Sequence, residues 1–359
     1  MRKRLRAGGA IVVALVVVAA ALIGLHLWRE QHRTALEKAM ALAPKDGQRY
    51  AWTDWDAVRR QRDATRAAAS ASPTTSGASE VPGGVSDVLS DATQSSALAD
   101  VSAAFAKATG VRLDEIDWEL LVGRPLATGS GQVDLVHLPA SVSPDSVRNA
   151  LTRAGFSVPD QSDGVWDGST TTAGVASPLL SYAAVDESDH VLLLSDNGGY
   201  LTSVVAGLNS GGDLPDGIAQ AVTAVGSPVA AEIYSGPYLC NALALSRSDP
   251  ATEAQGNSLI AAAGEIDPVQ GFALGLGSDG VVQVAMTFED HNQAKANADS
   301  RSRLAAGPAA GQSEGSFTAM FHLGTVAAQN EVVTMQLHPT EQGLYADLLS
   351  GGPILFATC

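Results

Sequence analysis

The 359-residue chain is poor in cysteine, lysine and aromatic residues: it has two cysteines, Cys240 and Cys359, five lysines, and an aromatic content of 5%. Each shortage excludes something. No Gly-Lys pair occurs, so a Walker A phosphate loop is ruled out. Ser195-Asp196-Asn197 matches one element of penicillin-binding enzymes, but no serine stands three positions before Lys38, Lys45, Lys107 or Lys295. K-T-G is missing as well. Asp196-Asn197-Gly198-Gly199 is then a turn or a helix entry. His32, His137, His190, His291, His322 and His338 contain no two residues at metal-ligand spacing, which leaves only a zinc site assembled from distant positions. No catalytic, cofactor-binding or metal-binding residue is assigned.

Positive charge is scarce too. From residue 70 onward the basic residues are Lys107, Arg112, Arg124, Arg148, Arg153, Arg247, Lys295, Arg301 and Arg303, and the whole chain carries a formal net charge of −16. A body this acidic repels phosphate backbones, so nucleic acid is excluded as a partner.

One long apolar run is present. Residues 7–28 follow the basic stub 1–6, Met-Arg-Lys-Arg-Leu-Arg, and at helical rise they are long enough to cross a bilayer core. A cleaved signal peptide is the competing reading, but the run exceeds the usual apolar region. The nearest small-residue pattern, Ala41-Leu42-Ala43, lies well beyond it and is followed by Pro44. The expectation is a retained single-pass anchor, partnered with the lipid bilayer. Arg2, Lys3, Arg4 and Arg6 place the N-terminus in the cytoplasm and the remainder outside, although Arg29, Arg33, Lys38 and Lys45 oppose them more thinly from the other flank.

Two cysteines in an exported body are most simply one disulfide. A Cys240–Cys359 bridge closes a loop of 119 residues, worth about 5 kcal/mol on the chain-entropy model. It would pin a last strand at 353–356 to the body. Two buried, inert thiols are the alternative.

Periodicity predicts an α+β chain. Residues 29–69 read as a juxtamembrane helix, a short strand at 48–55 and an Arg-rich helix with Thr53 as N-cap. Residues 70–96, rich in Ser, Thr, Gly and Pro, read as a linker or long loop. The first α+β half, 97–225, has helices at 97–109, 144–154 and 199–208 and strands at 132–138, 164–168, 179–185 and 191–195. The second, 226–359, has strands at 229–234, 271–276, 281–288, 317–323, 332–338 and 353–356, with helices at 238–247, 291–304 and 340–349. Two successive units of strand, helix, hairpin and helix predict mainly antiparallel sheets in a ferredoxin-like arrangement. The residues themselves do not repeat; only the layout does.

Within that layout, Gly275-Leu276-Gly277-Ser278-Asp279-Gly280 fits G-x-G-x-x-G, but a strand-like run follows where a dinucleotide site needs a helix. It is a hairpin turn. Asp114, Glu115, Asp117 and Glu119 surround Trp118, and a helix here would place Glu115 and Glu119 on one face. Paired acids divide acid and base work when burial separates their pKa values; otherwise the cluster is a solvated face. Asp186, Glu187 and Asp189 read as a hairpin loop without the calcium-loop pattern. Tyr50, Trp52 and Trp55 form the densest aromatic group, with three readings: core packing, docking at the membrane surface, or a carbohydrate or peptide platform. Asp54-Trp55-Asp56 and Asp117-Trp118-Glu119 share an acid-Trp-acid pattern that marks paired structural positions.

These expectations describe a single-pass envelope protein whose acidic extracytoplasmic domain binds or scaffolds an envelope-protein or cell-wall partner. The alternatives are an extracytoplasmic hydrolase with dispersed acidic catalytic residues around Trp118, and a ligand receptor with its cleft between the two halves.

Overall fold

The computed structural model describes residues 33–71, 88, 90–126, 129–161, 163–208, 214–242, 245, 248–312 and 314–359. The stub 1–6 and the apolar run 7–28 lie outside them. Among the described residues no helix is long and apolar enough to cross a membrane.

Helix α1 (Ala35–Leu42) opens on a capping box, with Thr34 and Glu37 exchanging side-chain and backbone hydrogen bonds. Pro44 follows its end. Strand β1 (Arg49–Thr53) leads into α2 (Trp55–Ala71). The cap of α2 is Asp54 rather than Thr53: Asp54 Oδ1 accepts from the Ala57 amide at 2.7 Å, while Thr53 is still paired in the sheet.

The first unit continues with α3 (Ser102–Thr109), strands β2 (Trp118–Leu126) and β3 (Gly129–His137), and α4 (Pro144–Arg153). Then come β4 (Trp166–Asp167), α5 (Thr172–Ala176), β5 (Tyr182–Asp186), β6 (Val191–Ser195) and α6 (Gly198–Leu208). The second unit begins with α7 (Asp216–Val225) and runs through β7 (Ala230–Ser235), α8 (Gly236–Ala242) and α9 (Pro250–Ala263). It ends with β8 (Gly271–Leu276), β9 (Val282–Thr287), α10 (His291–Ala305), α11 (Phe317–Met320), β10 (Phe321–Gln329), β11 (Val332–Pro339) and α12 (Leu344–Ser350).

Among the described residues eleven strands join one sheet, in the order β10-β11-β9-β8-β7-β1-β2-β3-β6-β5-β4, and every pairing is antiparallel. The order is the same in both units: β1-β2-β3-β6-β5 matches β7-β8-β9-β11-β10, and each unit enters its first strand from a helix, α1 or α7. Two corrections follow. There is one continuous sheet, welded where β1 pairs with β7, and not a sheet per half. It is not ferredoxin-like, because β1 lies directly beside β2, whereas the split βαβ unit sets a third strand between two strands joined by a helix.

Strand β1 is therefore the middle strand, so the stretch expected to be juxtamembrane supplies the centre of the body. Its alternate faces feed two separate cores. Tyr50 and Trp52 join Leu36, Met40, Tyr200 and Ile218 under α1, α6 and α7. The opposite face packs against Trp55, Phe105, Leu151, Phe272 and Tyr345 beneath most of the remaining helices. The result is three layers, helices on both sides of a sheet.

The C-terminus is not a strand. Residues Leu355–Ala357 form a 3-10 turn after Gly351-Gly352-Pro353, where proline has no amide to offer a ladder. Phe317–Met320, expected as strand, is a single helical turn capped by Ser316 before β10 begins. The hairpin reading of Gly275–Gly280 holds: Gly277 accepts from Gly280, whose φ of +82° suits glycine, and β9 starts at once.

Candidate functional site

The acid cluster around Trp118 is split by strand geometry. Trp118 opens β2, so residues 118 and 119 point to opposite faces rather than along a helix. Asp114, half-buried, pairs with Arg112 at 2.8 Å, and Glu115, exposed, accepts from the Arg112 amide at 3.0 Å. The Arg112 contact holds the Asp114 carboxyl below the usual range. Asp117 receives His137 Nδ1 at 2.9 Å and lies 3.6 Å from Arg59. These three acids are surface ion-pair partners. Glu119 alone is fully buried.

Glu119 accepts from four donors: Ser96 Oγ at 2.6 Å, the Ala97 amide at 2.7 Å, the Leu98 amide at 3.1 Å and Trp55 Nε1 at 3.0 Å. The two acid-Trp-acid strings are thus neighbours, since Trp55 of one binds Glu119 of the other and the Asp56 amide donates to the Asp117 carbonyl at 3.0 Å. Diagonally across on β3 sits Asp134, also fully buried, with neither carboxylate oxygen hydrogen-bonded to an ordinary donor. Burial raises Glu119 against its four donors. Burial, then Glu119, raises Asp134 well above the carboxylate range.

Glu232 on β7 is the third buried acid of this face, held by Arg49 of β1 through Nε at 3.2 Å and Nη2 at 3.4 Å. Burial pushes its carboxyl up against the pull of Arg49. Tyr234, Ser95 and Tyr345 lie near it, and Ser95 Oγ and Tyr345 Oη meet at 2.6 Å. A polar seam therefore crosses the middle of the sheet where the two units join. Residues 92–98, the end of the expected linker and the first two residues of the expected helix, cover it with Ala92 and Leu98 fully buried. Sequence reasoning missed Asp134, Glu232 and Arg49. The available signal was a single acid inside an apolar strand-like run, as in Val133-Asp134-Leu135-Val136 and Ala231-Glu232-Ile233.

Tyr50, Trp52 and Trp55 are core residues and not a platform. Tyr50 and Trp52 have 0% exposure; Tyr50 Oη donates to the Gly47 carbonyl at 2.9 Å and Trp52 Nε1 to Pro228 at 3.2 Å. Trp52 also packs 5.6 Å from Trp118. Strand alternation on a doubly covered sheet leaves none of these rings for a membrane or a sugar.

Cys240 and Cys359 form a disulfide, with Cα atoms 5.4 Å apart. Fully buried Arg301 holds the same terminus from α10: Nη1 donates to the carbonyls of Phe356 at 2.9 Å and Thr358 at 2.7 Å, and Nη2 to that of Asp267 at 2.7 Å. Nε donates to Asn297 Oδ1 at 2.9 Å. Burial lowers the Arg301 pKa to about 10.

A cleft of about 460 Å³ lies over the other core, lined by Pro44, Lys45, Arg124, Tyr200, Ser203 and Leu208. Arg124 stacks 4.4 Å above the Tyr200 ring and pairs with Asp46. Among the described residues no group of three or more His, Cys, Asp or Glu is placed to hold a metal ion.

Two sheet edges remain. The β4 edge is two residues long. The β10 edge runs nine residues, Phe-His-Leu-Gly-Thr-Val-Ala-Ala-Gln, without Asp, Glu, Lys, Arg or Pro, and among the described residues no strand pairs with its outer side. A register shift between Leu323 and Val326 marks a bulge. Leu323, Val326 and Ala328 point toward the core but stay half-buried, whereas Val333, Met335 and Leu337 opposite them are fully buried.

No protein-family model matches the chain, and no curated protein matches it. Two solved chains do, crystal forms I and III of TP0453. Each is 8% identical, with TM-scores of 0.40 and 0.39; the matches cover 86% and 87% of this chain and 95% and 97% of those chains.

Proposed function

We propose that the chain is a single-pass envelope protein, anchored by residues 7–28, whose acidic extracytoplasmic domain binds or scaffolds another envelope component. The observation that carries this reading is the open β10 edge. An uncharged, proline-free edge strand with half-buried apolar side chains offers backbone donors and acceptors to an extended segment of a partner, the mode of strand addition. The bulge leaves Val326–Gln329 as the regular stretch for pairing. The hydrolase reading loses its basis, because three of the four acids around Trp118 are surface ion-pair partners and the fourth is sealed in the core.

The test is site-directed photo-crosslinking in intact cells, with the photoreactive residue at Ala327 or Gln329 and, as a control, at exposed Val175 of α5. A discrete protein adduct from the edge positions and not from Val175 is the expected result. Equal labelling at all three positions, or no protein adduct together with a copurifying small molecule, would overturn the reading.

A further inference from the structure

We propose that Asp134 and Glu119 form a proton-linked latch: one proton shared between the two carboxyls keeps residues 96–98 closed over the seam, and its loss releases them. The inference goes beyond the binding role and does not depend on it.

The geometry poses a problem that one proton solves. Asp134 is fully buried and finds no ordinary donor for either oxygen. A carboxylate in that state costs several kcal/mol. Glu119 lies within hydrogen-bonding reach of it, itself an acceptor with four donors already in place. Two ionised carboxylates cannot satisfy each other, but a protonated Asp134 donates to ionised Glu119 and both are then paired. The pair titrates as a unit.

Among the described residues the surroundings supply no cation to replace that proton. Facing Asp134 are Leu121 on β2 and Leu194 on β6, and Val136 is its neighbour on the same face of β3. Around Glu119 the groups are Thr53 on β1, Trp55 on α2 and residues 96–98. Arg49 is occupied by Glu232 on the far side of β1, and Arg59 lies at the surface with Asp56 and Asp117. When the proton passes to bulk base, two adjacent negative charges remain in an apolar interior. Strands β2 and β3 are held on both sides, so they cannot move apart cheaply. Residues 96–98 are the segment that gives, because three of the four donors to Glu119 are theirs. Their departure admits water to the carboxylates and opens the seam at Ser95, Glu232 and Tyr345.

The sign follows from the chemistry. Both carboxyls are raised above their unfolded values, so the closed state is favoured at low pH and loses that advantage as pH rises through the folded pKa of the pair.

The experiment is amide hydrogen exchange on the full-length chain in detergent from pH 5 to 9, corrected for chemical exchange, following Ala97 and Leu98. Their protection is expected to fall by up to about tenfold per pH unit between the open-state and closed-state pKa of the pair and to level off above the latter, while β8 and β9 amides stay protected. Asp134→Asn, whose amide donates to Glu119 without titrating, should hold the Ala97 and Leu98 protection flat. Asp134→Leu serves as a second non-titrating variant should the first fail to fold. A pH-independent wild type, or a non-titrating variant with the wild-type profile, overturns the latch.

Discussion

Arg301 shows how much one side chain can carry here. It sits in the middle of a helix legible from its spacing, yet nothing in Asp-Ser-Arg-Ser-Arg distinguishes it from Arg303, which is exposed. Only tertiary placement gives it four bonds, two of which clamp the C-terminal carbonyls of Phe356 and Thr358. Arg301→Met should fill much of the volume but leave three carbonyls of Asp267, Phe356 and Thr358 without donors, at about 3 kcal/mol. Arg301→Lys keeps the charge and loses the fork, so its cost should be smaller. Urea denaturation of the two variants would show the order. Glu119 and Asp134 were unequally legible for a related reason. Glu119 was noticed as part of an acidic run, but its meaning depends on reading 118–126 as strand, which reverses the face on which each acid lies. Asp134 lay in a stretch correctly read as strand, and its inward direction depended on which face of the sheet would be covered.

At the scale of elements, boundaries followed local chemistry well where caps and turns decide them. Strands 191–195 and 271–276 coincide with their expected spans, and α10 begins on the Asp290 cap at His291. Failures cluster where context outweighs propensity. Residues 354–356 are apolar but follow Pro353, which offers no amide to a ladder, and the disulfide and Arg301 hold the segment as a turn. Strand β10 was expected to end at Leu323 but continues to Gln329 because the β11 ladder holds it. That extension creates the open edge, and it gives a prediction at this scale. Ala327→Lys points outward from an exposed position, so it should leave the melting temperature within about 2 °C of wild type. A charge on the edge opposes strand addition, so the crosslinked adduct captured from Gln329 should drop several-fold. Unchanged adduct yield with unchanged stability would show that the partner does not use this edge.

For the whole molecule, the repeated layout was visible as a succession of elements, but the sheet that unites them was not. Pairing β1 with β7 joins residues 49–53 to 230–234, and no local pattern encodes a contact across such a separation. The Cys240–Cys359 bridge is likewise long-range, yet arithmetic alone suggested it, because two cysteines allow one pairing. It ties α8 of the second unit to the terminus that Arg301 also grips. Closing a loop of 119 residues gives an upper expectation of about 5 kcal/mol from chain entropy, reduced here because Arg301 holds the same segment in the reduced protein. Cys240→Ser with Cys359→Ser should therefore lower the midpoint of denaturation while leaving a cooperative transition, and adding reductant to the wild type should reproduce that midpoint. The bridge also bears on compartment, since such bonds persist where the surroundings are oxidising. Thiol labelling of intact, unreduced cells should find neither cysteine reactive after denaturation. Two labelled thiols would mean that the body sits in a reducing compartment, and the envelope placement would then fail while the fold, the seam and its shared proton would stand.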